Sequence, residues 1–207
     1  MPVISTTLWK GASIYAEASV PVYNDVNYHY MRFRDYPQLS KAAFSQIARL
    51  PFDVVTSFSV GAFNPNRWGI AGEVNKLFFN RRLSLGYSFE YTGFLLYYDN
   101  LWNYSKLNLT TDKVYAWYYS DMLNSQIGLS FNKYVMKDSG PLFQFIRNFK
   151  DTSVGFFFGG TEIDKFGGVM IRFPFSPKKR PSPRLFRVTL PRYYEYSYRA
   201  TNYVYTQ

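Results

Sequence analysis

Apolar and polar residues alternate along most of the chain, most clearly in RRLSLGYSFEYTGFLLYY at residues 81–98. From Leu83 to Tyr91 one set of alternate positions is leucine or aromatic, and the other is small, polar or charged. A period of two indicates a β-strand, because successive side chains point to opposite sides of an extended chain. This segment therefore predicts a strand with one apolar, aromatic face and one small, polar face.

The same alternation recurs along the chain, and no stretch of about 15 residues shows a helical period. The segment PLFQFIRNF at residues 141–149 fits either a helical turn or a strand. We expect an all-β chain of about 10–12 strands, several with the roughly 9–11 alternating residues that a tilted membrane crossing needs. Soluble strands usually have about 5–6 residues. The predicted strands include residues 8–20, 42–52 (ending near Pro51), 54–63, 67–79, 83–98, 114–120, 123–135, 152–160 and 166–175.

The lengths of the strands favour an antiparallel transmembrane β-barrel over residues 1–175, closed by this chain alone or as part of a larger barrel. The alternative is a soluble β-sandwich or a lipocalin-like barrel. Residues 23–40 break the pattern and predict a long loop. Residues 176–207 form a basic segment rich in proline and tyrosine, which is either a tail or the last strand.

Composition changes the picture in two ways. Aromatic residues make up 21% of the chain, including twenty tyrosines, and charged residues only 18%. Tyrosine concentrates where one end of a side chain is dry and the other wet, as at a membrane interface or a sugar-binding surface.

The net charge of +10 indicates an anionic partner such as lipid headgroups or an acidic polymer. The basic tail cluster around Lys178 and Arg184 fits either a solvated tail, a contact with anionic headgroups or docking on a partner.

Catalytic chemistry is poorly supported by the residue types. The chain has no cysteine, so a disulfide or thiolate metal site is excluded, and its one histidine, His29, lies in the predicted loop. The acidic pairs Asp112/Asp121 and Glu162/Asp164 lie in turn-like contexts, where aspartate is expected for turn formation alone. We expect no catalytic, cofactor or metal site, and the dispersed basic residues argue against nucleic-acid binding.

In a barrel, the polar positions of the alternating strands would face the lumen. For the charged members, the simpler explanation is a salt bridge, such as one between Arg82 and Glu73 on adjacent predicted strands. The candidate residues for a polysaccharide path are Glu73, Asn75, Arg82, Glu90, Asn124, Gln126, Asn132 and Arg172.

Several segments, in order along residues 8–190, resemble the YjbH/GfcD-like outer-membrane proteins of exopolysaccharide and capsule export loci. Each match is weak alone, and the collinear order is more specific. The segments are WKGASIYAEASVPVYND, LSKAAFSQIARLPFDVVTSFSVGAFNPNRWGIAGEV, LSLGYSFEYTGF, FIRNFKDTSVGFFF and GGVMIRFPF.

The resemblance implies a non-catalytic outer-membrane β-barrel that helps a secreted polysaccharide to cross the membrane. It also implies partners: a polysaccharide-export lipoprotein, small periplasmic accessory proteins, or another barrel segment. The basic excess favours an acidic polymer. The first twenty residues lack the basic and apolar regions of a signal peptide, so a bacterial outer-membrane location is expected to need a leader from a longer precursor. The alternative function is a soluble, aromatic-rich β-sandwich that binds carbohydrate or acts as a scaffold.

Overall fold

The computed structural model describes residues 3–19, 38–64, 66–98, 101–174, 187–189 and 193–203, and these form strands and turns. The predicted all-β, antiparallel class is confirmed. Within the described ranges no helix is long and apolar enough to cross a membrane. The strands are β1 Val3–Trp9, β2 Ala12–Ser19, β3 Gln38–Leu50, β4 Val54–Asn64, β5 Arg67–Phe78, β6 Leu83–Tyr98, β7 Leu101–Tyr104, β8 Leu109–Ser120, β9 Ser125–Lys133, β10 Ser139–Phe149, β11 Thr152–Gly160, β12 Asp164–Pro174, β13 Arg187–Thr189 and β14 Tyr193–Tyr203.

All fourteen strands belong to one sheet, in the order β13-β1-β2-β3-β4-β5-β6-β8-β9-β10-β11-β12-β14, with β7 paired to β6 beside this path. Nearly every strand therefore pairs with its neighbour in sequence. Strand β6, which carries the opening alternating segment, is the longest at 16 residues. The count exceeds the expected 10–12 because β7 and β13, with four and three residues, are too short to show a period.

The two ends of the sheet differ in their connections. At one end the strands are joined by tight turns at residues 10–11, 51–53, 79–82, 121–124 and 150–151. We call this the hairpin end. Gly11 has a φ of 84°, and a Cβ there would lie 2.1 Å from the carbonyl oxygen of Ile47, so only glycine fits this turn. At the opposite end the connections are of mixed length, from residues 65–66 between β4 and β5 to residues 20–37 between β2 and β3.

The polarity of the two faces is the reverse of that in a soluble protein, because the apolar side chains are the more exposed and the polar ones the more buried. On β9 the side chains of Ser130 and Asn132 are buried, whereas Leu129 and Phe131 are 57% and 56% exposed. The same holds on β11, where Phe156 and Phe158 are exposed and Gly155 is buried. We call the first side the polar face and the second the apolar face. A polar face can be the more buried one in a single sheet only if the sheet curves with that face concave.

The curved sheet has two edges, β13 and β14. Among the described residues no backbone pairing joins them, so the hydrogen-bonded sheet itself is not a closed cylinder. The closed transmembrane barrel therefore remains a proposal.

Three further expectations concern individual segments. Residues 141–149, which fitted a helical turn or a strand, lie in β10. The predicted loop at 23–40, with His29, lies almost entirely outside the described residues, and β3 begins at its end. In the C-terminal segment 176–207, the described residues form β13 and β14, and β14 pairs with β12.

Candidate functional site: the polar face

The centre of the polar face carries a hydrogen-bonded group from three strands. The Tyr115 hydroxyl on β8 donates to the Glu73 carboxylate on β5. The Nδ2 of Asn75 donates to the Tyr115 hydroxyl at 3.1 Å, and the Ser84 hydroxyl on β6 donates to the Asn75 amide oxygen at 2.9 Å. Tyr115 spans β6 because Gly86 leaves room, since a Cβ at Gly86 would lie 2.3 Å from the ring.

Aromatic rings also lie over glycines at two other positions on this face. An added Cβ at Gly128 would lie 2.6 Å from the Trp117 ring, and one at Gly168 would lie 2.5 Å from the Phe157 ring. In each case the glycine belongs to the strand next to the aromatic residue. The rings are thereby held against the wall of the sheet instead of projecting from it.

A second polar group lies towards the end opposite the hairpins. The Nη2 of Arg67 is 2.7 Å from the Glu90 carboxylate, which also accepts a 3.1 Å hydrogen bond from Thr111. Both side chains are largely shielded from solvent, with that of Arg67 17% exposed. The other guanidinium nitrogen, Nη1, is buried and has no hydrogen-bond partner within the described part of the chain.

Beside this pair is a cavity of about 270 Å³, whose lining includes Arg67, Ser88, Lys113, Asn132 and Tyr134. Lys113 has no carboxylate within salt-bridge distance among the described residues; its Nζ lies 5.2 Å from the centre of the Tyr115 ring. Burial is the main cause that raises the pKa of the Tyr134 hydroxyl above its ordinary value near 10. The cavity therefore offers cations, amides and hydroxyls to a polar ligand, together with the carboxylates of Glu90 and Asp112.

The candidate path residues are spread over the polar face and do not form one site. Glu73, Asn75, Glu90 and Asn132 occupy the two polar groups and the cavity wall described above. Asn132 donates to Ser130 at 3.1 Å, and both side chains are buried. Gln126 lies at the beginning of β9 opposite Ile146 of β10.

The remaining candidates lie elsewhere. Arg82 is in the hairpin turn before β6 and pairs with Asp121 at 2.5 Å, so the expected pairing with Glu73 is wrong. Asn124 is in another hairpin turn and donates to the Asn148 carbonyl at 2.9 Å. Arg172 pairs with Glu195 of β14 at 2.6 Å.

Sequence reasoning did not select Tyr115, Arg67 or Lys113. In β8 both sets of alternate positions contain aromatic residues, so VYAWYYS gives no polar face from which Tyr115 stands out. The one available signal was Gly86 in the polar set of β6, since a glycine in a strand often marks a close approach by another group.

The chain was compared with known protein families, with characterised proteins and with solved structures, and no match was found.

Proposed function

We propose that this chain forms a membrane-spanning β-barrel of the bacterial outer membrane through which an exopolysaccharide or capsule polymer is exported without catalysis. The inverted polarity of the sheet is the observation that carries the proposal. A soluble sheet with so many exposed leucine, phenylalanine and tyrosine side chains would aggregate, whereas the same face is at its lowest energy in hydrocarbon.

Strand length and connections support the membrane assignment. Strands β3, β5, β6 and β8 have 12 to 16 residues, more than the roughly 9–11 that a tilted crossing requires. The tight turns that join five pairs of strands at one end are also typical of outer-membrane barrels. Backbone pairing within the sheet satisfies the hydrogen bonds that hydrocarbon cannot.

The polar face supports passage of a hydrated sugar polymer. Its hydroxyls and amides can exchange water for sugar hydroxyls at little net cost. The aromatic rings held against the wall at Tyr115, Trp117 and Phe157 offer flat surfaces on which sugar rings can stack. Barrels of about eight strands are filled by side chains, and those of about 16 or more enclose a channel. The thirteen strands along the path of this sheet lie between these limits.

The charge of the lumen is more balanced than the sequence led us to expect. Most polar-face cations pair with carboxylates: Lys41 with Glu17, Arg67 with Glu90, and Arg172 with Glu195. The proposal therefore rests on hydroxyl and aromatic chemistry, and an acidic polymer would be favoured mainly through Lys113. The polymer class and the export partners, a lipoprotein and periplasmic accessory proteins, come from the resemblance described above. The two open edges leave a place for another barrel segment.

Detergent-dependent folding tests the membrane assignment. The chain is refolded from urea with and without detergent micelles, and boiled and unboiled samples are compared on a gel alongside far-UV circular dichroism. We expect a β-rich, heat-modifiable band only with detergent. A folded monomer in plain buffer would overturn the proposal and favour the soluble carbohydrate-binding sandwich.

Transport is tested separately on protein folded into vesicles loaded with oligosaccharides of graded length. We expect release of oligosaccharides that protein-free vesicles retain. Heat-modifiable protein that releases none of them would leave the barrel assignment standing and overturn the transport function.

A further inference from the structure

At each tight turn of the hairpin end, one apolar residue is more exposed than the other apolar residues of that turn. We call these residues and the cations beside them the hairpin rim. Phe52 is 87% exposed and Met122 is 89% exposed, so neither packs against the protein. The apolar members of the rim are Trp9, Phe52, Phe79, Met122 and Phe149.

Two of these residues have backbone angles that raise the energy of their turns. Phe52 and Phe79 have φ angles of 62° and 49°, in the left-handed region that bulky side chains disfavour. Glycine or asparagine would form the same turns at lower energy, as Asn124 does in the turn after β8. The stability of the turn does not explain a phenylalanine at these tips, so their exposed rings need another explanation.

Cations flank the apolar residues. The Lys76 Nζ lies 5.1 Å from the centre of the Phe78 ring, and the Arg147 guanidinium lies at the same distance from the Phe149 ring. Within the described residues, the rim cations that pair with no carboxylate are Lys10, Lys76, Arg81, Arg147 and Lys150.

The carboxylates at this end are fewer. Asp53 and Asp121 are each paired with an arginine, at 2.5 Å in both cases, and Asp151 adds one more negative charge. The hairpin end is therefore positively charged.

We propose that the hairpin rim is an anchor for the headgroup layer of an anionic phospholipid leaflet. Exposed aromatic residues are favoured at the boundary between hydrocarbon and water, and unpaired cations beside them match lipid phosphates. The inference rests on the membrane assignment above and adds an orientation: the hairpin end lies in the leaflet that contains the anionic phospholipid.

The opposite end differs in its balance of charge. Met136 and Ile163 are exposed there, at 81% and 54%, and their connections contain two acidic residues, Asp138 and Glu162, against one cation, Lys137. Met136 is a control that matches Phe52 and Met122 in exposure and apolar character.

Site-specific labels test the anchor, because the chain has no cysteine. Phe52→Cys, Met122→Cys and the control Met136→Cys each carry one fluorophore in protein folded into mixed phosphatidylcholine and phosphatidylglycerol vesicles. Quenching is measured with a headgroup-nitroxide form of either lipid. We expect labels at the hairpin end to be quenched more strongly by the anionic lipid, and the Met136→Cys label to show no preference.

Charge removal provides the second readout. Arg81→Gln with Lys150→Gln should reduce the preference of the Met122→Cys label for the anionic lipid, as should high salt, which screens exposed charges.

Equal quenching by the two lipids at the hairpin end, in protein that is heat-modifiable, would overturn the anchor and leave the barrel intact. If the protein instead folds in plain buffer, the barrel fails. The same labels, exposed to added vesicles, then test the rim as a peripheral lipid-binding surface: quenching supports it and no quenching overturns it.

Discussion

The Tyr115 hydroxyl donates a hydrogen bond to the Glu73 carboxylate although a whole strand, β6, lies between β8 and β5. The tyrosine reaches its acceptor by lying across Gly86, whose missing side chain opens the way. A side chain that spans two pairings ties three strands into one unit. It also makes the glycine as important to the contact as either hydrogen-bonding partner.

Gly86→Ala should destabilise the protein, because the added methyl group would lie 2.3 Å from the Tyr115 ring. We expect a loss of about 1–3 kcal/mol in the free energy of unfolding, as for other overpacked sites. The measurement is a urea titration of protein folded in micelles. In a Tyr115→Ser background, the same glycine substitution should cost much less. An equal cost in both backgrounds would contradict the proposed contact.

Leu129→Arg tests what surrounds the apolar face. In lipid, an arginine near the middle of a strand such as β9 should cost about 2–4 kcal/mol of folding free energy. In water, an exposed substitution usually changes stability by less than about 0.5 kcal/mol. Refolding yield and the urea midpoint in lipid vesicles distinguish the two cases. Met136→Arg, in a turn, is the matched control and should have little effect.

Glu90→Gln should destabilise the protein by about 2 kcal/mol, the usual value of a hydrogen bond to a charged group. The neutral amide leaves the poorly exposed Arg67 guanidinium without a counter-charge, 2.7 Å away. Arg49→Gln is the control, because the Arg49–Asp53 pair is more than half exposed and such pairs contribute little. Similar losses in both variants would show that shielding does not strengthen the Arg67–Glu90 pair.

Lys113→Gln should lower the preference of the channel for anions, because this cation on the polar face has no carboxylate partner among the described residues. The reversal potential of protein in a planar bilayer under a salt gradient measures that preference. Arg172→Gln serves as the comparison, since it leaves Glu195 unpaired and should shift the preference in the same direction together with a loss of stability. An unchanged reversal potential for Lys113→Gln would show that this residue does not face the conducting path.

The strands could be predicted from sequence because alternation is a local property. The pattern from Leu83 to Thr92 defines a strand and its two faces without knowledge of any neighbour. It also predicts which side chains are small and polar, and in the structure these are less exposed than most of the apolar ones beside them.

Side-chain partners could not be predicted, because they depend on strand register and on the limits of each turn. Arg82 and Glu73 are on adjacent strands by pattern. Arg82, however, falls in the turn, where Asp121 from the next hairpin is the carboxylate it meets. Likewise, the contact between Tyr115 and Glu73 depends on the registers of β5 with β6 and of β6 with β8.

The strand order also has a kinetic consequence. From β1 to β12 each strand pairs with a strand close to it in sequence, and contacts of low sequence separation form quickly because little chain entropy is lost in closing them. The pairing of Val3 with Thr189 joins opposite ends of the chain and is the exception. Assembly should therefore proceed hairpin by hairpin from local contacts, with the chain termini meeting in a late and slower step.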